Sequence, residues 1–253
     1  MRKIAFVNEK GGSGKTTLSS NVAAWMALQG KKVLIIDMDP QGHIGKSFGV
    51  NIHTLEKTTF DLLVYPDVTI DDVAMPTKYD NLFIVPSNKL LTDVVVNVSK
   101  HSDRHRKLRD KMDQAVEYDY ILIDSPPSLG LLTVNILFAC TEVVIPVSLT
   151  YLALDGCAEI LDTIKIVREN FDHDELGLSL VVPTFFMETI LVESIMNKLK
   201  NHFGSKMSKT VIKYDMKLDQ AQSFGRTIFD FAPDSPGAKA MASVAKEIIE
   251  LGR

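Results

Sequence analysis

Asn8-Glu9-Lys10-Gly11-Gly12-Ser13-Gly14-Lys15-Thr16-Thr17 carries the residue types that hold phosphate. Glycine lets a backbone come close to a ligand and turn successive N–H groups toward it. Lysine supplies a compact charge, and threonine a hydroxyl for a hydrated cation. In this spacing Lys15 reaches the β- and γ-phosphates of a nucleotide, and the Thr16 hydroxyl holds Mg²⁺. Gly11, Gly12, Ser13, Gly14, Lys15, Thr16 and Thr17 form the cradle. The strict phosphate-loop pattern asks for glycine where Glu9 stands. A second lysine, Lys10, precedes the glycines instead. A plain strand–turn–helix corner is the competing reading, and it leaves both lysines and both threonines unexplained.

The flanking residues must position that loop. Arg2–Val7 is short, apolar and branched, which reads as a buried strand. Leu18–Gln29 keeps Val22, Ala23, Trp25 and Met26 at helical spacing. The loop therefore ends on a helix N-terminus, whose free N–H groups and dipole favour anions. Lys32–Asp37 is a second buried strand running into Asp37-Met38-Asp39-Pro40-Gln41-Gly42, where proline and glycine force a turn. Carboxylates at the C-terminal ends of strands lie where open α/β sheets bind ligands. Tyr120-Ile-Leu-Ile leads into Asp124, which would meet Mg²⁺ through water. Ser125-Pro126-Pro127 is then a stiff turn able to sense a γ-phosphate.

These three phrases resemble the ParA/MinD superfamily of deviant Walker A ATPases. The match is densest to short, chromosomal-type ParA (Soj-like) partition ATPases, at residues 4–49, 119–156 and 210–240. The resemblance implies one three-layer α/β P-loop domain over residues 1–253, with a mostly parallel sheet. It implies ATP and Mg²⁺ as cofactors, and slow, partner-stimulated hydrolysis. Lys10 would reach the phosphates of the other subunit's ATP in a sandwich homodimer. Asp39 would position the attacking water, so Lys10, Lys15 and Asp39 form the catalytic set. Thr16, Asp39 and Asp124 would surround the metal, and Asp37 would serve the metal shell or the loop.

Ile212–Gly225 resembles a further family phrase, in which Asp215 replaces an asparagine near the adenine. Lys217 falls on an arginine that contacts DNA in relatives. Glu188 stands where the family commonly has a DNA-binding arginine, and a usual glutamate near Thr150 is missing. Lys198, Lys200, Lys209, Lys213, Lys217 and Arg226 form a stretch with few acids, suited to sequence-independent phosphate contact. A solvated lysine face is the alternative. Lys209–Ile212 is expected as a strand, and Leu152–Gly156 as the opening of a helix through Glu169. Charge-dense His101–Lys111 reads as the solvated face of a helix, with a basic edge as the other possibility.

The totals fit a 253-residue α/β chain, 45% hydrophobic and 24% charged. The formal charge of −4 gives no global sign of nucleic-acid binding, so any DNA contact must be local. No run of ~18 apolar residues suggests a membrane span. The last helix has Glu247 and Glu250 beside Lys246, unlike a basic membrane anchor. Cys140 and Cys157 sit in apolar segments and read as packed thiols. The resemblance further implies non-specific DNA and a ParB-like or other cargo adaptor as partners, no membrane, and a cytoplasmic, nucleoid-associated location. Two rival readings are a MinD-like membrane-cycling ATPase and a metabolic or metallocluster enzyme on the same core.

Overall fold

The computed structural model describes residues 1–98, 101–150 and 153–252. Seven strands form one sheet: β1 (Arg2–Phe6), β2 (Val33–Asp37), β3 (Met75–Pro76), β4 (Leu82–Val85), β5 (Tyr120–Asp124), β6 (Glu142–Ser148) and β7 (Gly177–Thr184). Their order is β3-β4-β2-β5-β1-β6-β7. Every pairing is parallel except β3 with β4. Parallel strands need crossovers, and the helices that supply them cover both faces of the sheet. This is why β2 and β5 are apolar at nearly every position and buried throughout.

The helices in chain order are α1 (Lys15–Leu28), α2 (His43–Ser47), α3 (Thr59–Val64), α4 (Ile70–Val73), α5 (Val94–Val98) and α6 (Lys107–Met112). Then follow α7 (Leu131–Ala139), α8 (Ala153–Phe171), α9 (Ile190–Phe203), α10 (Met216–Ser223), α11 (Ile228–Phe231) and α12 (Pro236–Glu250). One apolar layer packs α1, α10 and α12 on the sheet, and the other packs α7, α8 and α9. Two apolar layers around a mostly parallel sheet make the three-layer α/β architecture expected from the sequence.

Two local expectations change. Lys209–Ile212 is not a strand. Glu247 takes the N–H groups of Lys209 and Thr210, both at 2.9 Å, so they cannot enter a ladder. Only isolated bridges remain, Val181 with Met207 and Phe186 with Lys213. The basic run 101–111 is helical only from Lys107, and Lys111 is buried rather than solvated. Its ammonium donates to the carbonyls of Tyr65, Pro66 and Val68 at 3.1, 2.6 and 2.5 Å, closing the loop after α3. The expected helix opening at Leu152 lies outside the described residues.

The α12 stripe of Met241, Val244, Ala245 and Ile248 is buried in the layer that α1 shares. Ser235 caps this helix through the Ala238 N–H at 3.1 Å, with proline in the first turn. Among the described residues no helix is long and apolar enough to cross a membrane.

Candidate nucleotide-binding site

β1 is flanked by β5 on one side and β6 on the other, and the glycine loop leaves its C-terminal end. Gly14 is the N-cap of α1 at φ 85°, and Gly12 turns at φ 72°. Both conformations favour glycine, and they aim the loop's N–H groups into one concavity. Asn8 pins the loop from below. Its amide donates to the Pro146 carbonyl at 2.7 Å, and its side-chain oxygen accepts the Lys10 N–H at 2.9 Å.

The carboxylates come from adjacent strand ends. Asp37 and Asp124 are register partners across β2 and β5. Both are fully buried. Asp37 accepts the N–H groups of Asp39 at 3.0 Å and of Ile44 at 2.9 Å. It therefore shapes the loop that carries Asp39, and burial with Asp124 nearby holds its carboxyl well above the usual range. Asp124 accepts the Thr16 hydroxyl at 2.7 Å and the Ser19 hydroxyl at 3.0 Å. Burial pushes Asp124 up to about 7, against those hydrogen bonds and the Lys15 charge. Lys15 is 7% exposed, and burial lowers its pKa while Asp124 and Asp39 oppose the shift.

These residues face a cleft of 590 Å³ lined by Gly11–Thr17, Asp39, Gln41, His43, Lys46, Pro127, Phe185, Asp219, Gln222 and Ser223. That volume suits a nucleotide. The donor set fits a phosphate-bound divalent cation. Thr16 and Asp124 already touch, and among the described residues Lys15 is the cation that offsets the raised pKa of buried Asp124. Ser13 Oγ and Ser125 Oγ are buried beside the loop and beside Asp124 without a hydrogen-bond partner among the described residues. Mg²⁺ sites of this kind use one or two protein groups plus substrate phosphates. It follows that no cluster of three or more His, Cys, Asp or Glu ligands is needed, and none occurs among the described residues.

The burial of Asp124 gives a stability prediction. With nucleotide and metal absent, Asp124→Asn should stabilise the protein by about 1 kcal/mol at pH 8, where the native carboxyl is mostly ionised. The penalty builds from the ordinary carboxyl pKa of 3.8 up to the folded value of about 7, so the gain should shrink at pH 5 and vanish only below about pH 4. Thermal melts at the two pH values check this, and an equal shift at both would contradict it.

Other expected site residues are placed as follows. Lys10 does not line its own cleft. Its ammonium donates to the Thr150 hydroxyl at 2.5 Å, at the position near which the family glutamate is missing. Asp215 does not line the cleft either. Its two oxygens accept the N–H groups of Lys217 at 3.0 Å and Gly237 at 2.9 Å, so it caps α10 and ties it to α12. Asp219, Gln222 and Ser223 hold that part of the wall, and the Thr17 hydroxyl donates to Gln222 at 3.3 Å. Neither Gln222 nor Phe185 was singled out from the sequence as a cleft residue.

The basic residues are unequal. Lys213 pairs with Glu188 at 2.9 Å, and Arg226 with Asp230 at 3.6 Å. Lys198, Lys200, Lys209 and Lys217 are exposed and form no ion pair among the described residues. Lys200 and Lys213 line one surface hollow with Phe186 and Met196. Cys140 and Cys157 are buried, and burial pushes each thiol up to about 12, as expected of packed thiols.

A family model described as an AAA domain matches residues 1–176. The sporulation initiation inhibitor protein Soj of Bacillus subtilis is 36% identical over 250 residues, covering 98% of each chain. The chromosome-partitioning ATPase Soj of Thermus thermophilus is also 36% identical, covering 98% of this chain and 96% of its own. Among solved structures, cobyrinic acid a,c-diamide synthase from Mycobacterium smegmatis with bound ADP and magnesium superposes with a TM-score of 0.86. It is 26% identical, and the match covers 100% of this chain and 97% of that one. With the glycine loop, the paired strand-end carboxylates and similarity to Soj proteins over almost the whole chain, the chain belongs to the Soj/ParA partition ATPases of the ParA/MinD superfamily.

Proposed function

We propose that the protein is an ATP-driven switch that partitions DNA or positions a cargo, dimerising with ATP and holding non-specific DNA until hydrolysis releases it. The observation that carries this reading is the pair of lysines. Lys15 is buried in its own cleft, whereas Lys10 does not line it and donates instead to the Thr150 hydroxyl. A lysine beside the glycine loop that does not line its own cleft is available to a second one, which supports this reading.

ATP lies with its phosphates along Gly11–Thr17. Lys15 neutralises the β- and γ-oxygens, and the loop N–H groups hold charge without reorganising. Thr16 and Asp124 would hold Mg²⁺, which spreads the negative charge of the phosphates when bound. Asp39 on the cleft wall orients the attacking water. Asp39 is held by the Gln41 N–H at 2.9 Å and by the loop that Asp37 shapes, so it stays poised while the γ-phosphate is present. Loss of that phosphate frees the 39–46 and 125–130 turns, and the dimer separates.

Dimerisation doubles weak phosphate contacts from exposed cations such as Lys198, Lys200 and Lys217, which turns them into useful avidity. Lys213 and Arg226 contribute less, since each is paired with an acid. A ParB-like or other cargo adaptor triggers turnover, and the protein works in the cytoplasm on the nucleoid. The buried stripe of α12 speaks against the MinD-like reading, because its apolar face is already covered. Similarity to Soj over almost the whole chain supports partition over a metabolic synthase.

Co-sedimentation with non-specific DNA and with anionic liposomes, each with ATP or ADP, tests the proposal. ATP-dependent, salt-sensitive DNA binding without liposome binding is expected. Liposome binding would move the protein to a membrane-cycling role. Asp39→Ala should keep ATP affinity and lose turnover on the order of a hundredfold, trapping the ATP-bound dimer. Turnover of that variant near the native rate would remove Asp39 from catalysis.

A further inference from the structure

Phe185 follows β7 with φ at 55°, in the left-handed region that aromatic residues seldom adopt. Such a conformation persists only where the surroundings hold it, and it gathers at functional sites. The clamps here lie on both sides. The Ile212 N–H donates to Pro183 at 2.9 Å, the Phe186 N–H to Ile212 at 3.1 Å, and the Tyr214 N–H to Phe186 at 3.3 Å. The Thr184 hydroxyl donates to the Ser13 carbonyl at 2.9 Å, fixing the turn to the phosphate loop itself. Strand-like pairing thus continues past Phe185, while this one residue is turned out of line.

The turn puts the ring on the cleft wall, half-buried, against Gly14. A Cβ at Gly14 would stand 3.3 Å from two ring carbons, so the ring fits the glycine closely. It is the one phenyl ring among the lining residues described. Strand order then fixes which end of the nucleotide it meets. Asp39 and Asp124 follow β2 and β5 on one side of β1, whereas Phe185 follows β7 on the other. With the γ-phosphate toward the carboxylates, the base leaves the loop on the side of β7.

We propose that the Phe185 ring is the wall on which the purine base stacks. This rests on the ATP reading above. Stacking tolerates any base, so the ring sets nucleotide affinity and leaves the choice of base to the polar wall around Gln222.

The test is titration calorimetry of the full chain with ADP and with inorganic tripolyphosphate, comparing native protein, Phe185→Ala, Phe185→Gly and Phe185→Tyr. Phe185→Gly removes the ring and relieves the left-handed backbone together, so it keeps the fold if Phe185→Ala does not. ADP should bind about tenfold more weakly to the Ala and Gly variants and within about twofold of native to Tyr. Tripolyphosphate should bind all four alike. Unchanged ADP affinity without the ring would overturn the proposal, as would loss in the Tyr variant. Parallel loss of ADP and tripolyphosphate would also overturn it, by making the ring a support of the phosphate loop. Native protein that binds neither probe would instead refute the phosphate cradle, and the base wall with it.

Discussion

Lys15→Ala should abolish nucleotide-dependent behaviour. ATP affinity is expected to fall at least about a hundredfold, and turnover on the order of a thousandfold. Two effects act in the same direction. The variant loses charge-assisted contacts to two phosphates, each worth roughly 1.5–3 kcal/mol. It also leaves Asp124 and Asp39 without the buried Lys15 ammonium that faces them, so the cleft becomes hostile to an anion. Calorimetric titration with ATP and a phosphate-release assay measure both. Affinity and turnover near native values would sink the assignment of residues 10–17 as the phosphate site.

Lys10→Ala should behave differently, and the contrast is the sharper test. Lys10 does not line its own cleft, so ATP affinity of the isolated protomer should stay within about threefold of native. The ATP-dependent dimer should be lost, and turnover should fall on the order of a thousandfold, the lower end for a charge delivered in trans. Leaving Thr150 costs about 1–2 kcal/mol, since the partner is a neutral hydroxyl rather than a carboxylate. That is small against a charge-assisted contact to a phosphate, so the lysine is free to move when a second protomer arrives. Normal dimerisation and turnover in this variant would remove the cross-subunit role.

The part of the site that was legible in the sequence is the part carried by local phrases. Gly11–Thr17 needs only a strand before it and a helix after it. Asp37, Asp39 and Asp124 stand at the ends of apolar runs, and parallel register then brings Asp37 beside Asp124. What was not legible depends on distant partners. Phe185 meets Gly14 because β7 lies two strands from β1 and because of a backbone turn that no aromatic residue advertises. Gln222 reaches Thr17 across the gap between α10 and α1. Asp215 matched a family position, yet the Gly237 and Lys217 N–H groups claim its carboxylate. Lys209–Ile212 had strand propensity, but Glu247 from α12 took the Lys209 and Thr210 N–H groups first. Propensity yields where a side chain offers the backbone a closer acceptor.

The most direct measurement is the solution mass of the native protein by light scattering, with no nucleotide, with ADP, and with a slowly hydrolysed ATP analogue, in Mg²⁺. Monomer in the first two and dimer in the third is the predicted result, with Lys10→Ala monomeric throughout. A mass that ignores the γ-phosphate, whether always monomer or always dimer, would contradict the nucleotide-switched dimer on which the proposed function depends.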